Sequence, residues 1–125
     1  MSQRWYTREH EWVDVDGEDA VMGITDYAQQ QLGEIVYVDL PEADDSFAAG
    51  EAVAALESVK TAADVYAPFD LTVTEVNTEL LDAPELVNQD AEGAWLLKAR
   101  ITDPDSVAGL LTLEEYNALL AAAES

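Results

Sequence analysis

Residues 56–68 read Leu56-Glu57-Ser58-Val59-Lys60-Thr61-Ala62-Ala63-Asp64-Val65-Tyr66-Ala67-Pro68, and this stretch decides the fold. It predicts strand, tight turn, strand, with a lysine at the tip. Upstream, Ala52 to Leu56 is a short apolar run. Downstream, Ala63, Val65 and Ala67 alternate with Ala62, Asp64 and Tyr66, the period of a half-buried strand. Pro68 cannot donate to a sheet ladder and closes the second strand. Ser58 and Thr61 suit a turn because their hydroxyls bond nearby backbone. The chain has two lysines, Lys60 and Lys98. A long unbranched side chain at a turn tip projects from the body, where an enzyme can modify it and an attached group can swing. From placement alone, a solvated turn lysine and a modified one both remain open.

The totals narrow the classes. At 125 residues and 49% hydrophobic, residues 1–125 are expected to form one domain around one core. Without cysteine there is no disulfide framework, zinc–thiolate cluster or thiol nucleophile, and one histidine argues against a histidine metal site or a Ser-His triad. No stretch approaches the roughly 18 uninterrupted apolar residues of a membrane helix. The opening residues 1–6 lack a signal or transit pattern, so a cytoplasmic protein is expected. Five basic residues face 27 acidic ones, a formal charge of −22. That surface repels nucleic acid and anionic membranes, and it predicts adaptation to high intracellular salt.

Working outward, Trp12–Val15 and Asp19–Gly23 read as strands joined by an Asp16-Gly17 hairpin turn. Thr25 caps a short helix over Tyr27–Leu32, with Asp26 in its first turn and Gly33 ending it. Ile35–Leu40 is a strand with Val36, Val38 and Leu40 expected on one face. Phe47–Ala49 pairs briefly, and residues 71–76 form a further strand. Thr78–Leu81 makes a helical turn, and Asp82–Gly93 is expected to be a long loop. Trp95–Ile101 is a strand in which Lys98 faces away from Trp95. Asp103-Pro104 starts a short helix ended by Gly109. Thr112 to Glu115 is a capping box, with Leu111 and Tyr116 as its hydrophobic staple. A stripe of Tyr116, Leu119, Leu120 and Ala123 then completes a C-terminal helical tail over 103–123.

The Glu57-Ser58-Val59-Lys60 motif, the small residues and Asp64 after it, and Ala67-Pro68 resemble the lipoylation site of the H-protein family of the glycine cleavage system. So do His10-Glu11-Trp12-Val13, Gly23-Ile24-Thr25-Asp26-Tyr27-Ala28, Leu32 to Pro41, Pro84-Glu85-Leu86-Val87-Asn88 and Trp95-Leu96-Leu97-Lys98, in the family's order over nearly the whole chain. The resemblance implies a mainly β fold: a flattened β-barrel sandwich of the lipoyl/biotinyl-carrier type, with short helices, a C-terminal helix and the lysine hairpin, residues 52–68, at one end. Two places depart from the family. Asp70-Leu71 stands where it commonly has Ser-Gly, so a turn shifted by a residue or changed in type is expected, the shift being favoured. The loop from Asn88 to Trp95 is about one residue shorter than usual and lacks the common aromatic.

The function the resemblance implies is a non-catalytic carrier with lipoate bound through an amide to Lys60. It would take the aminomethyl group of glycine from a pyridoxal-phosphate glycine decarboxylase to a folate-dependent aminomethyltransferase. A dihydrolipoamide dehydrogenase would then reoxidise the arm. Glu57 is expected to guide the lipoylating enzyme, and Glu11 and Asp64 to lie near the cleft where the loaded arm docks. Asp26 and Glu34 suit either partner docking or plain capping and solvation. His10, Trp12 and Trp95 read as packing residues. A monomer is expected, with neither nucleic acid nor membrane as partner. The alternatives are a related lipoate-binding protein of sulfur metabolism or lipoyl relay, and an unmodified interaction module.

Overall fold

The structure, a computed structural model, describes residues 3–124. Residues 1–2 and 125 of the expected domain lie outside that range, and so do the first two residues of the opening stretch.

Nine strands form two antiparallel sheets among the described residues. β1 (Gln3–Tyr6), β2 (Glu11–Asp16) and β3 (Asp19–Ile24) form a meander. β9 (Leu97–Ile101), β8 (Leu71–Val76) and β5 (Ser46–Phe47) extend it to six strands in the order β1-β2-β3-β9-β8-β5. β4 (Ile35–Asp39), β6 (Ala52–Ser58) and β7 (Ala62–Tyr66) make the second sheet, in the order β4-β6-β7. Val13, Met22, Leu71, Val73 and Ile101 from the large sheet pack with Ile35, Val38, Leu56 and Val65 from the small one, and Phe69 fills the space between. The expected mainly β sandwich is therefore the architecture.

The helices sit around this sandwich. α1 (Asp26–Leu32) is capped by Thr25, whose Oγ1 accepts from Ala28 N. α2 (Glu79–Asp82) and α3 (Leu86–Gln89) follow β8. A 3-10 helix spans Pro104–Gly109, with the Asp103 carboxylate accepting from Asp105 N. α4 (Leu113–Glu124) opens on the predicted capping box: Glu115 N donates to Thr112 Oγ1, and Thr112 N donates to Glu115 Oε1. Tyr116 carries α4 onto the body, its ring stacked on Tyr6 at 4.8 Å, with Leu111, Leu119 and Leu120 around the pair. The Tyr116 hydroxyl meets both Thr25 Oγ1 and His10 Nδ1, and burial pushes the His10 imidazole pKa down.

Three expectations are corrected. The strand at Ile35 does not alternate cleanly. Its register shifts between Ile35 and Tyr37, so Val36 turns outward while Val38 is buried. The stretch 82–93 is not plain loop, since α3 lies within it. The strand expected from Trp95 begins at Leu97, which frees the Trp95 ring to lie 4.9 Å from Lys98 Nζ rather than on the opposite face. Leu71 pairs with Phe47 and Ile101 inside β8, is buried, and does not adopt a positive φ. Neither Asp70 nor Leu71 takes the positive φ that a glycine would serve, so the backbone here differs from a glycine turn. There Asp70 Oδ1 accepts from Ala49 N, and Asp70 O accepts from Thr102 N.

One glycine is fixed by packing. A Cβ on Gly23 would lie 2.7 Å from the Trp12 ring, so the bare backbone lets the indole lie flat on β3 and donate to Ala91 O.

Candidate functional site

The lysine turn is built from ordinary backbone. Neither Val59 nor Lys60 has a positive φ. Ser58 ties the turn together: its N–H donates to Thr61 O at 2.7 Å, and its hydroxyl oxygen accepts from Thr61 N at 3.1 Å and Lys60 N at 3.3 Å. β6 and β7 set the register below, with Glu57 opposite Ala62 and Leu56 opposite Ala63. Buried Leu56 and Val65 anchor the hairpin in the core, so Lys60 stands exposed on a rigid stem.

The tip also rests on a second segment that sequence reading did not assign to the site. Val59 N donates to Glu34 O at 3.0 Å. Gly33, the C-cap of α1, has φ +82°, a region that L side chains disfavour. A Cβ there would sit 3.5 Å from Lys60 Cε, so the lysine stem runs close over the bare Gly33 backbone. Asn88 holds this shelf in place. Its Oδ1 accepts from Ile35 N at 2.8 Å, and its Nδ2 donates to Gly33 O at 2.8 Å and to Gln29 Oε1 at 2.9 Å. All of its amide capacity but one lone pair is thus used between α1 and β4. The signal in the sequence was the polar residue closing Pro84-Glu85-Leu86-Val87-Asn88, which on sequence alone names no partner.

Glu57 is exposed on the outer face of β6, opposite Tyr37 on β4 and Ala62 on β7. Asp64 shares that outer face one row further from the tip. It lies opposite Ala55, which faces Asp39 on its other side, and Asp64 and Asp39 line a shallow pocket with Asp45. At about 3.3 Å per strand residue, Asp64 lies roughly 13 Å along the strand from Lys60.

Glu11 is elsewhere. It opens β2, is 2% exposed, and faces a cavity of about 430 Å³ lined by Thr7, Arg8, Glu9, Tyr66 and Leu110 among others. Tyr66 N donates to its Oε2 at 2.6 Å and the Thr7 hydroxyl to its Oε1 at 3.1 Å. Those bonds favour the carboxylate, but desolvation outweighs them, and Glu9 adds to it. The Glu11 pKa is pushed up to about 7. The hairpin thus joins the two acids only indirectly. Glu11 binds the far end of β7, and Asp64 lines a different pocket.

The remaining candidates make contacts within the chain. Lys98 lies 3.8 Å from Glu75. Asp26 accepts from the Gln29 and Gln30 side chains, and its N–H donates to Glu92 Oε2. Glu34 serves the site through its backbone carbonyl. Among the described residues no cluster of histidine and carboxylates could hold a metal ion, and no helix is long and apolar enough to cross a membrane.

With this geometry in place, the chain can be compared with known proteins. The family model described as glycine cleavage H-protein matches residues 4–123. A glycine cleavage system H protein of Alkaliphilus oremlandii is 52% identical over 111 residues, covering 89% of this chain and 87% of that protein. One from Bartonella quintana is 48% identical over 121 residues, covering 96% and 99%. A crystal structure of a glycine cleavage system H protein from Mycobacterium marinum superposes with a TM-score of 0.86 at 37% identity, over 95% of this chain and 97% of that one.

Proposed function

We propose, from the fact that this chain belongs to the glycine cleavage H-protein family, that Lys60 is the residue through which it carries its lipoyl group. The family's members are non-catalytic lipoyl carriers of the glycine cleavage system, and that is the role of this chain. Its finer partners follow as part of the proposal: the glycine decarboxylase, the aminomethyltransferase, the dihydrolipoamide dehydrogenase and a lipoylating enzyme. We read residues 1–125 as one carrier domain, monomeric and cytoplasmic.

The observation that carries the Lys60 assignment is a primary amine exposed at the tip of a hairpin whose stem is buried. The fit to the group is direct. Lipoate needs an accessible amine for its amide and space to swing, and the tip supplies both. When bound, lipoate supplies a disulfide that accepts the aminomethyl group of glycine. The chain's own residues hold and present it. Ser58 closes the turn, and Glu34 O and the Gly33 backbone support its underside. Asn88 keeps that support from moving. Asp64, on the outer face of β7, and Glu11, bonded to the far end of that strand, would be the carboxylates on this side of a loaded arm. A cationic amine there gains from carboxylate charge. At neutral pH, close to its raised pKa, Glu11 can give up its proton as such an amine arrives.

Lys60→Arg tests this directly. The variant should fold as the parent does and support no glycine–bicarbonate exchange with the decarboxylase, because a guanidinium does not take the amide. Exchange at the parental rate would refute the assignment.

A further inference from the structure

Six large hydrophobic side chains are exposed among the described residues, and three of them gather at the lysine turn. Val59 is 67% exposed and adjoins Lys60. Val36 and Tyr37, 48% and 51% exposed, lie on the neighbouring strand β4. The register shift makes them neighbours on one face. Ile35 pairs with Ser58 and Tyr37 with Glu57, so Val36 is the extra residue of a β-bulge and both side chains point outward beside Glu57. Strands in this sheet lie about 4.8 Å apart, which puts the pair beside the stem of the turn.

A bulge on an edge strand has a bland explanation, since it blunts pairing with other chains. That purpose is served best by charged residues, which this chain has in excess. Valine and tyrosine at both bulge positions, in a protein of formal charge −22, do the opposite. Clustered apolar side chains on a polar surface mark a contact site. Exposed Glu34, Glu57 and Asp39 flank this patch, so its partner carries apolar side chains ringed by lysine or arginine.

We propose that Val36, Tyr37 and Val59 form the surface on which the lipoylating enzyme docks. This rests on the reading of Lys60 as the lipoyl-lysine. The choice of occupant follows from reach. The Lys60 Nζ extends about 6 Å from its Cα, from ordinary bond lengths. In the acylation step Nζ attacks the carbonyl carbon of an activated lipoyl adenylate. The N–C bond forms, the bond from that carbon to the phosphate oxygen breaks, AMP leaves, and Nζ loses its proton to solvent. An enzyme doing this must bring its donor within that reach of the turn, and so must touch what surrounds the turn. Enzymes that act on a finished arm work at its far end and need not.

The test uses the full chain without lipoate and a purified lipoate–protein ligase with lipoate and ATP, following acyl transfer by intact mass. Val36→Ser/Tyr37→Ser and, separately, Val59→Ser should each lower kcat/KM by about five-fold or more, the usual size of an interface hot spot, mainly through KM. Leu113→Ser removes an equally exposed apolar side chain on α4 and should leave the rate unchanged. Val59 is at the turn tip outside the core, so its variant keeps the test intact if the bulge variant melts early. Parental kinetics in both variants would overturn the proposal. So would unchanged lipoylation with impaired exchange by the glycine decarboxylase, which would give the patch to that enzyme. If the parental chain takes no lipoyl group at Lys60, it is the underlying assignment that fails.

Discussion

Glu11→Gln should remove one pH-dependent loss of stability, the one that comes from burying this acid. Glu11 is buried, and its pKa in the folded chain is about 7 against a model-peptide value of 4.5. Below pH 4.5 both folded and unfolded chains hold the proton. Between 4.5 and 7 the unfolded chain releases it while the folded chain retains it, so stability falls as pH rises through this window. Above 7 the folded chain carries a desolvated carboxylate and the loss is complete. At about 1.4 kcal/mol per pH unit, the interval corresponds to about 3 kcal/mol, reduced by whatever water the adjoining cavity admits. Glutamine matches the neutral acid in shape. Its carbonyl can still accept from Tyr66 N, and its amide can donate to Thr7 Oγ1, which now donates to Glu11. The variant should therefore match the parent near pH 4.5 and exceed it by about 2–3 kcal/mol above pH 7.5. At about 3–5 °C per kcal/mol for a domain of this size, the melting temperatures should separate by roughly 10 °C. Paired melts from pH 4.5 to 8.5 at one fixed salt concentration measure this, since the other acids titrate alike in both proteins. A gap that stays constant, or narrows as pH rises, would refute the reasoning.

Three further outcomes are expected. Asn88→Ala removes the amide that serves Ile35 N, Gly33 O and Gln29, and should cost about 2–4 kcal/mol in denaturant midpoints and speed hydrogen exchange at Val59 N, whose acceptor is on the same segment. Leu71→Gly empties a fully buried site in β8 and should cost about 3–5 kcal/mol; a gain in denaturation midpoint would mean the turn is still strained at that residue. Melting temperature should climb steeply from low to molar potassium chloride, because the Debye length shrinks from about 10 Å at 0.1 M to about 3 Å at 1 M and screens the 27 acids from one another; a flat, high profile would contradict adaptation to salt.

The parts of the fold legible in the sequence were those set by local chemistry. Asp16-Gly17 fixes a hairpin turn, Thr25 and Gly33 bound α1, and Thr112 with Glu115 builds a capping box from residues three apart. The lysine hairpin announced itself by alternation and by a proline stop. What stayed hidden depends on residues far apart in the chain. β1 was missed because Gln3–Tyr6 has no strand pattern of its own and is held by β2 and by the Tyr6–Leu111 bridge. The bulge at Val36 arises from how β4 meets β6, which alternation within β4 cannot reveal. The positive φ of His10 and of Asp44 falls on residue types that tolerate it, but the chain has many aspartates and residue type alone does not say which one takes it. At the site, Lys60 and Glu57 could be placed by motif, whereas Asn88 acts across 53 residues on Ile35 N, and Glu11 across 55 on Tyr66 N. Its raised pKa follows from burial, which no motif encodes.

The central claim is that the chain is a carrier whose one reactive position is Lys60. The most direct measurement is the intact mass of the protein purified from its own host, followed by peptide mapping of the adduct. The account predicts one lipoyl group per chain, on the peptide containing Glu57 to Thr61, with Lys98 unmodified, and no adduct in Lys60→Arg expressed in the same cells. A lipoyl group on Lys98, or one persisting in Lys60→Arg, would contradict it.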